Sequence, residues 1–186
     1  MSTERLIVDR SIADGFVQAF AARAENVVAG DPALNKSPLG AVVEERTVTH
    51  VRELIADAKA KGARCVLEGT ADGTVLQPSI VDCVTPDMRL WTEESVGPVV
   101  AVAHAEGDDD IVRLANDTDY GLSAAVYGKE LSRLLNVAEQ IESGICHINA
   151  PTVYDEPQMP FGGVKSSGYG RFGGSFSIDE FTETRW

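Results

Sequence analysis

"SAAVYGKELSRLLNVAEQIESGICHI", residues 123–148, reads as strand, helix, strand. Ser123 to Tyr127 is a small, apolar run of strand length. Leu131, Leu134, Leu135, Ala138 and Ile141 then recur at the three- and four-residue spacing of one helix face, and Gly144 stands where such a helix would stop. Ile145 to Ile148 returns to a strand. Two apolar strands joined through a helix run parallel, because a short turn cannot bring the chain back in the same direction.

Working outward, the same alternation continues. Val99 to Ala103 is a strand, and Asp108, Asp109 and Asp110 open a helix carrying Ile111, Leu114 and Ala115. Acids in a first turn suit the positive end of the helix dipole. Towards the N-terminus, Leu6-Ile7-Val8 reads as a strand, followed by a helix capped by Ser11 with Ile12, Phe16, Ala19 and Phe20 on one face. Asp31 to Gly40 is a turn-rich break. Val48, Val51, Leu54, Ile55 and Ala58 share a face of a stronger helix, closed by Gly62, and Cys65-Val66-Leu67 is a strand. The stretch around Pro78 and Pro86 reads as irregular. The expected class is α/β, a largely parallel open sheet flanked by helices, with residues 1–186 as a single domain.

The formal net charge is −13, from 16 basic and 29 acidic residues. Nucleic-acid binders and peripheral membrane proteins need basic surfaces, so no nucleic-acid and no membrane partner is expected. No apolar run reaches the ~20 residues of a membrane span, and the first residues lack a secretory layout. A cytoplasmic location is the resulting expectation. Cys65, Cys83 and Cys146 lie far apart beside apolar residues and read as buried, reduced thiols. His50, His104 and His147 stand at no motif spacing to a cysteine or serine. No metal site and no catalytic residue are expected from them.

Gly168-Tyr169-Gly170-Arg171-Phe172-Gly173 is a literal G-x-G-x-x-G. A dinucleotide fingerprint needs a strand before it, a helix after it and an acid ~20 residues on. Lys165-Ser166-Ser167 precedes this one, and 13 residues follow it. The match is therefore read as a turn-forming glycine loop.

The wider stretch "MPFGGVKSSGYGRFGG", residues 159–174, together with "EESVGPVVAV" from Glu93, "LANDTDYGLSAAVYG" from Leu114 and "GICHIN" from Gly144, resembles the NAD(P)-dependent aldehyde dehydrogenase superfamily in order and spacing. The resemblance covers essentially the whole chain. "MSTERLIVD" and "INAPTVYDEPQMPFGG" are most similar to the dehydrogenases of aromatic aldehydes, of benzaldehyde, salicylaldehyde and vanillin type.

This resemblance implies the C-terminal, catalytic-domain portion of such an enzyme, truncated at its N-terminus and lacking the Rossmann-type cofactor domain. In the family a cysteine thiolate attacks the aldehyde, a hydride leaves for the nicotinamide, and a glutamate activates water. The resemblance places that cysteine, the glutamate and the oxyanion asparagine before Met1, so the chain alone is expected to be inactive and to bind no NAD or NADP. Glu94 matches the residue that holds the nicotinamide ribose hydroxyls. Val96 stands where the family usually has a phenylalanine beside the nicotinamide. Phe161 matches a residue lining the aldehyde pocket, with Tyr154 and Val153 on the loop before it. Asn149, Pro160, Gly162, Gly163, Lys165 and Gly168 are read as shaping the supporting turn. The partners implied are a small aldehyde in the intact enzyme and, through bared apolar surface, a further copy or a full-length subunit. The other expectation is a non-enzymatic remnant that docks on full-length subunits.

Overall fold

A computed structural model describes residues 3–34 and 38–186. Met1 and Ser2 of the N-terminal motif, and residues 35–37 of the Asp31–Gly40 break, lie outside the described residues. The chain forms two compact units, one up to Gly107 and one from Asp108 to Trp186.

The first unit contains β1 (Arg5–Asp9), α1 (Ala13–Ala24), a 3-10 turn (Pro32–Leu34), α2 (Glu45–Ala60), β2 (Arg64–Leu67), β3 (Ala71–Asp72), β4 (Val75–Leu76), β5 (Ser79–Asp82), α3 (Arg89–Thr92) and β6 (Val99–Ala105). Its sheet has the order β1-β6-β5-β2. β1 and β5 run parallel to β6, with Val8 opposite His104 and Val81 opposite Ala101. β2 closes the edge antiparallel to β5, so the sheet is mixed and not uniformly parallel. β5 is four residues long and buried throughout. The stretch around Pro78 is thus not irregular but holds a central strand that starts directly after the proline. Pro at a strand boundary is tolerated, since it need not donate to the ladder.

On one sheet face Val8, Ile80 and Val102 pack with Ala13 and Val17 of α1, and Leu6, Val66, Phe20, Ala21 and Ala24 pack against them. Of the face read from the sequence only Phe20 packs against this core, since Ile12 is 61 % exposed and Phe16 37 %, and Ala13 and Val17 are the buried positions of α1. Ser11 does not cap it. Its amide and hydroxyl both donate to Asp9 Oδ1, at 3.0 and 2.5 Å, making a local turn that competes with capping. α2 buries Val48, Val51, Leu54, Ile55 and Ala58, the face its spacing predicts. The Val, Leu and Ile side chains among them each contribute about 1.5–3 kcal/mol of apolar burial, and Ala58 about 0.8 kcal/mol. Gly62, at φ 100°, takes the left-handed conformation that ends the helix.

The second unit contains α4 (Gly107–Asn116), β7 (Tyr120–Gly121), β8 (Ser123–Val126), α5 (Leu131–Ala138), β9 (Ile145–Ile148), β10 (Val164–Lys165) and α6 (Phe176–Glu180). β8 and β9 pair in parallel from Ser123–Ile145 to Val126–Ile148, as the strand-helix-strand reading requires. α5 buries Leu134 and Val137 but leaves Leu131 and Leu135 exposed. β10 pairs antiparallel with β7. No helix among the described residues is long and apolar enough to cross a membrane.

Candidate functional site

In the first unit the loop from Glu93 to Pro98 joins α3 to β6. Its two adjacent acids have different fates. Glu93 receives two hydrogen bonds from Arg89, Nε to Oε1 at 2.7 Å and Nη2 to Oε2 at 3.0 Å, and these hold its carboxyl below the usual carboxylate range. Arg89 is fixed in turn by its backbone amide, which donates to Asp57 Oδ2 at 2.9 Å. Glu94 is exposed, and its carboxylate has no hydrogen-bond partner among the described residues.

The backbone that presents Glu94 is tightly held. Ser95 is fully buried, and its hydroxyl donates to Glu4 Oε2 at 2.7 Å. His50 Nε2 stands 3.1 Å from the Glu94 carbonyl oxygen. Val96 adopts φ 51°, a left-handed conformation that costs a β-branched residue of order 1–3 kcal/mol. Its side chain is 67 % exposed, so burial does not force that conformation. Gly97 follows because a Cβ there would lie 2.7 Å from Val51 Cγ2.

In the second unit, Asn149 turns the chain out of β9 at φ 53° and exchanges hydrogen bonds with the Gly128 backbone, 3.0 Å to its Oδ1 and 3.1 Å from its Nδ2. Ser123 Oγ donates to the Thr152 carbonyl at 2.8 Å. Val153 and Tyr154 follow, both about half exposed. The Tyr154 ring stands edge-on to His147, centroids 6.3 Å apart. His147 Nε2 is buried with no hydrogen-bond partner among the described residues. Phe161 exchanges backbone hydrogen bonds with Phe172, and their rings sit 5.0 Å apart. Pro160 is half-buried directly before it.

The glycine segment is built by close backbone approach. A Cβ on Gly162 would fall 2.4 Å from the Gly170 oxygen, and one on Gly163 would fall 2.5 Å from Ser167 Cβ. Gly168 sits at φ 123°. Lys165 spends its charge locally: its Nζ donates to the Asn116 and Thr118 carbonyls at 2.9 and 3.1 Å and lies 2.6 Å from Glu142 Oε2. An open groove of ≈ 690 Å³ runs past Asp119, Lys165, Ser166, Tyr169 and Arg171. The G-x-G-x-x-G lies between the two-residue strand β10 and the five-residue helix α6. The long strand and helix of a dinucleotide fingerprint are not what flank it.

Cys83 is exposed, contrary to its reading as a buried thiol, and Cys65 and Cys146 are half-buried. Burial raises all three thiol pKa values, and at Cys83 the neighbouring Asp82 carboxylate adds to the effect. Spacing also missed a convergence, because Asp82, Cys83 and His104 are brought together from adjacent strands.

The described geometry is thus an exposed carboxylate on a rigid loop in one unit and an aromatic-bearing loop with a glycine turn in the other. The aldehyde dehydrogenase family model matches residues 1–186. The vanillin dehydrogenase of Pseudomonas fluorescens is 55 % identical over 186 residues, covering 100 % of this chain and 39 % of that protein. The crystal structure of a salicylaldehyde dehydrogenase from Pseudomonas putida G7, complexed with salicylaldehyde, superposes with a TM-score of 0.93 at 43 % identity, covering 98 % of this chain and 38 % of that one. An aldehyde dehydrogenase C mutant from Pseudomonas syringae, complexed with NAD+ and octanal, gives 0.90 at 34 % identity, covering 98 % and 38 %. The chain thus spans a little over a third of the length of these relatives. A match along all its residues, with the motif loops carried on the same fold, leaves one conclusion: the chain belongs to the aldehyde dehydrogenase family.

Proposed function

We propose that the chain is part of an NAD(P)-dependent enzyme that oxidises an aromatic aldehyde to its carboxylic acid, and that it supplies binding surfaces but no nucleophile. The observation that carries this reading is the unequal pair at the end of α3. Arg89 occupies Glu93, while Glu94 stands exposed on a loop pinned through Ser95. A carboxylate with both oxygens open accepts two hydroxyl donors at once, which fits the vicinal hydroxyls of a ribose. Glu94 would hold the nicotinamide ribose, with Val96 exposed two positions on. The cofactor, when bound, supplies the hydride acceptor. Tyr154, Val153 and Phe161 would wall the aldehyde, and aromatic faces suit an aromatic substrate. Similarity to enzymes named for vanillin and salicylaldehyde supports that substrate class.

The nucleophile of covalent aldehyde oxidation is a thiolate. Burial raises the pKa of each of the three thiols here, which disfavours the thiolate. The reactive sulfur would then come from a part of the enzyme outside these 186 residues. The test is NADH formation with benzaldehyde and vanillin. The purified chain should give none, and co-expression with the cysteine-bearing remainder should restore it. Turnover by the chain alone would overturn the reading.

A second role, docking on a further copy or a full-length subunit, is favoured by α5. Tyr127, Leu131 and Leu135 are 64 %, 61 % and 45 % exposed around one short segment. Sedimentation should find an assembly that the double variant Leu131→Glu, Leu135→Glu reduces to monomer. A parent chain that is already monomeric would remove this role.

A further inference from the structure

β5 ends on Asp82, whose side chain is 0 % exposed. It follows Ile80 on the apolar face against which α1 packs, so its charge is held in surroundings that penalise it. Arg64, its antiparallel partner on β2, donates from Nη2 to Oδ2 at 2.7 Å. His104 Nε2 lies 2.8 Å from Oδ1. Cys83 Sγ lies 3.7 Å from Oδ2. One potential ligand atom from each of Asp82, Cys83 and His104 falls within 4.8 Å of the others, the one such group among the described residues. The strand pairing produces this convergence. His104 lies two positions beyond Val102 on the same face of β6, and Cys83 leaves β5 at φ 59°, in a left-handed turn.

We propose that Asp82, Cys83 and His104 bind a divalent transition-metal ion of the zinc class. Thiolate, imidazole and carboxylate together are the donor set such ions take, and they discriminate against magnesium and calcium, which prefer oxygen alone. Tetrahedral bonds of about 2.0–2.3 Å place ligand atoms roughly 3.3–3.8 Å apart, so separations as wide as 4.8 Å need shrink by about 1 Å while the 2.8 Å contact of His104 with Asp82 opens by roughly 0.5 Å. The Arg64 side chain is 60 % exposed and can swing into water without burying its charge, which frees Oδ2. Binding exchanges the S–H bond of Cys83 for a sulfur–metal bond and releases that proton to solvent; the His104 proton that Nε2 donates to Asp82 shifts by solvent exchange to Nδ1, which frees the Nε2 lone pair, and no electron moves. Cys83 is exposed, so the fourth position faces water.

Cobalt(II) titration of the 186-residue chain, followed by the thiolate-to-cobalt charge-transfer band in the near ultraviolet, tests the site. One equivalent should develop the band, and zinc should displace it. Cys83→Asn suits the left-handed backbone and should abolish it. His104→Gln, which can still hydrogen-bond Asp82, should weaken binding at least tenfold. Cys65→Ser and Cys146→Ser should leave it intact. Arg64→Ala removes the competing cation and should tighten binding severalfold. Circular dichroism without metal checks the fold of each variant. No band with the parent chain, a band that survives Cys83→Asn, or an Arg64→Ala variant that binds no more tightly than the parent overturns the proposal.

Discussion

Glu4 and Ser95 stand 91 positions apart in the chain, yet Glu4 Oε2 accepts hydrogen bonds from both the Ser95 hydroxyl at 2.7 Å and its amide at 3.3 Å. The residue directly before β1 thereby fixes the loop that displays Glu94. Glu4→Ala removes the Glu4 acceptor from the buried Ser95 amide and leaves the hydroxyl only the Gly97 carbonyl at 3.3 Å, a loss of about 1–3 kcal/mol. Equilibrium urea unfolding should show the midpoint fall. A variant that unfolds at the parent's urea concentration would mean the clamp contributes nothing.

Glu93 and Glu94 should separate stability from binding. In a complete enzyme containing this segment, Glu94→Gln removes a charged hydrogen-bond acceptor and should raise KM for the nicotinamide cofactor about tenfold, equivalent to roughly 1.4 kcal/mol. The thermal midpoint should not move, because the side chain is exposed. Glu93→Gln should do the reverse. It should cost less than about 1 kcal/mol of stability, since Arg89 and Glu93 are each 39 % exposed, with a smaller kinetic effect. Equal cofactor KM values for the two variants would remove the assignment of Glu94.

Asp57 should shape the acid limb of the stability curve. The Arg89 amide holds its carboxyl below the ordinary range; partial burial opposes this, and the hydrogen bond from Lys61 adds to it. A carboxyl whose folded pKa lies below its unfolded value, about 3.9, stabilises the fold above that pH and loses its contribution as pH falls through the folded value. Urea midpoints measured from pH 6 downwards should therefore decline less steeply below about pH 4 in Asp57→Asn than in the parent. Parallel curves would show that Asp57 is not coupled to folding.

Two glycines should respond differently to alanine. A Cβ on Gly144 would lie 1.8 Å from the Gly162 oxygen, so Gly144→Ala must push apart the start of β9 and the glycine turn. That substitution should cost more than about 3 kcal/mol or prevent folding. Gly62, at φ 100° with open space around it, carries only backbone strain, and Gly62→Ala should cost about 1 kcal/mol. Calorimetry on the two variants checks the order, and a milder Gly144→Ala would contradict the close approach.

What the sequence settles by itself is what repeats locally. The buried face of α2 follows from apolar residues at helical spacing, and the β8-α5-β9 unit follows from the change between strand and helix patterns. The motif residues that carry the family resemblance are likewise local, because loop geometry demands glycine or asparagine at fixed positions.

Direction and convergence were left to the tertiary structure. Nothing in Cys65-Val66-Leu67 says that β2 runs antiparallel to β5, since a short apolar run carries no sign of its direction until a partner supplies hydrogen bonds. Spacing offered Ile12 and Phe16 to the core, but contact with the sheet selected Ala13 and Val17. The unequal roles of Glu93 and Glu94 depend on where Arg89 reaches. Asp82 meets His104 only because two strands lie side by side in a particular register. Local pattern marks most of the helices and strands, although β5 beside Pro78 escaped it, whereas pairing across the fold sets which side chains meet, and chemistry depends on the meeting.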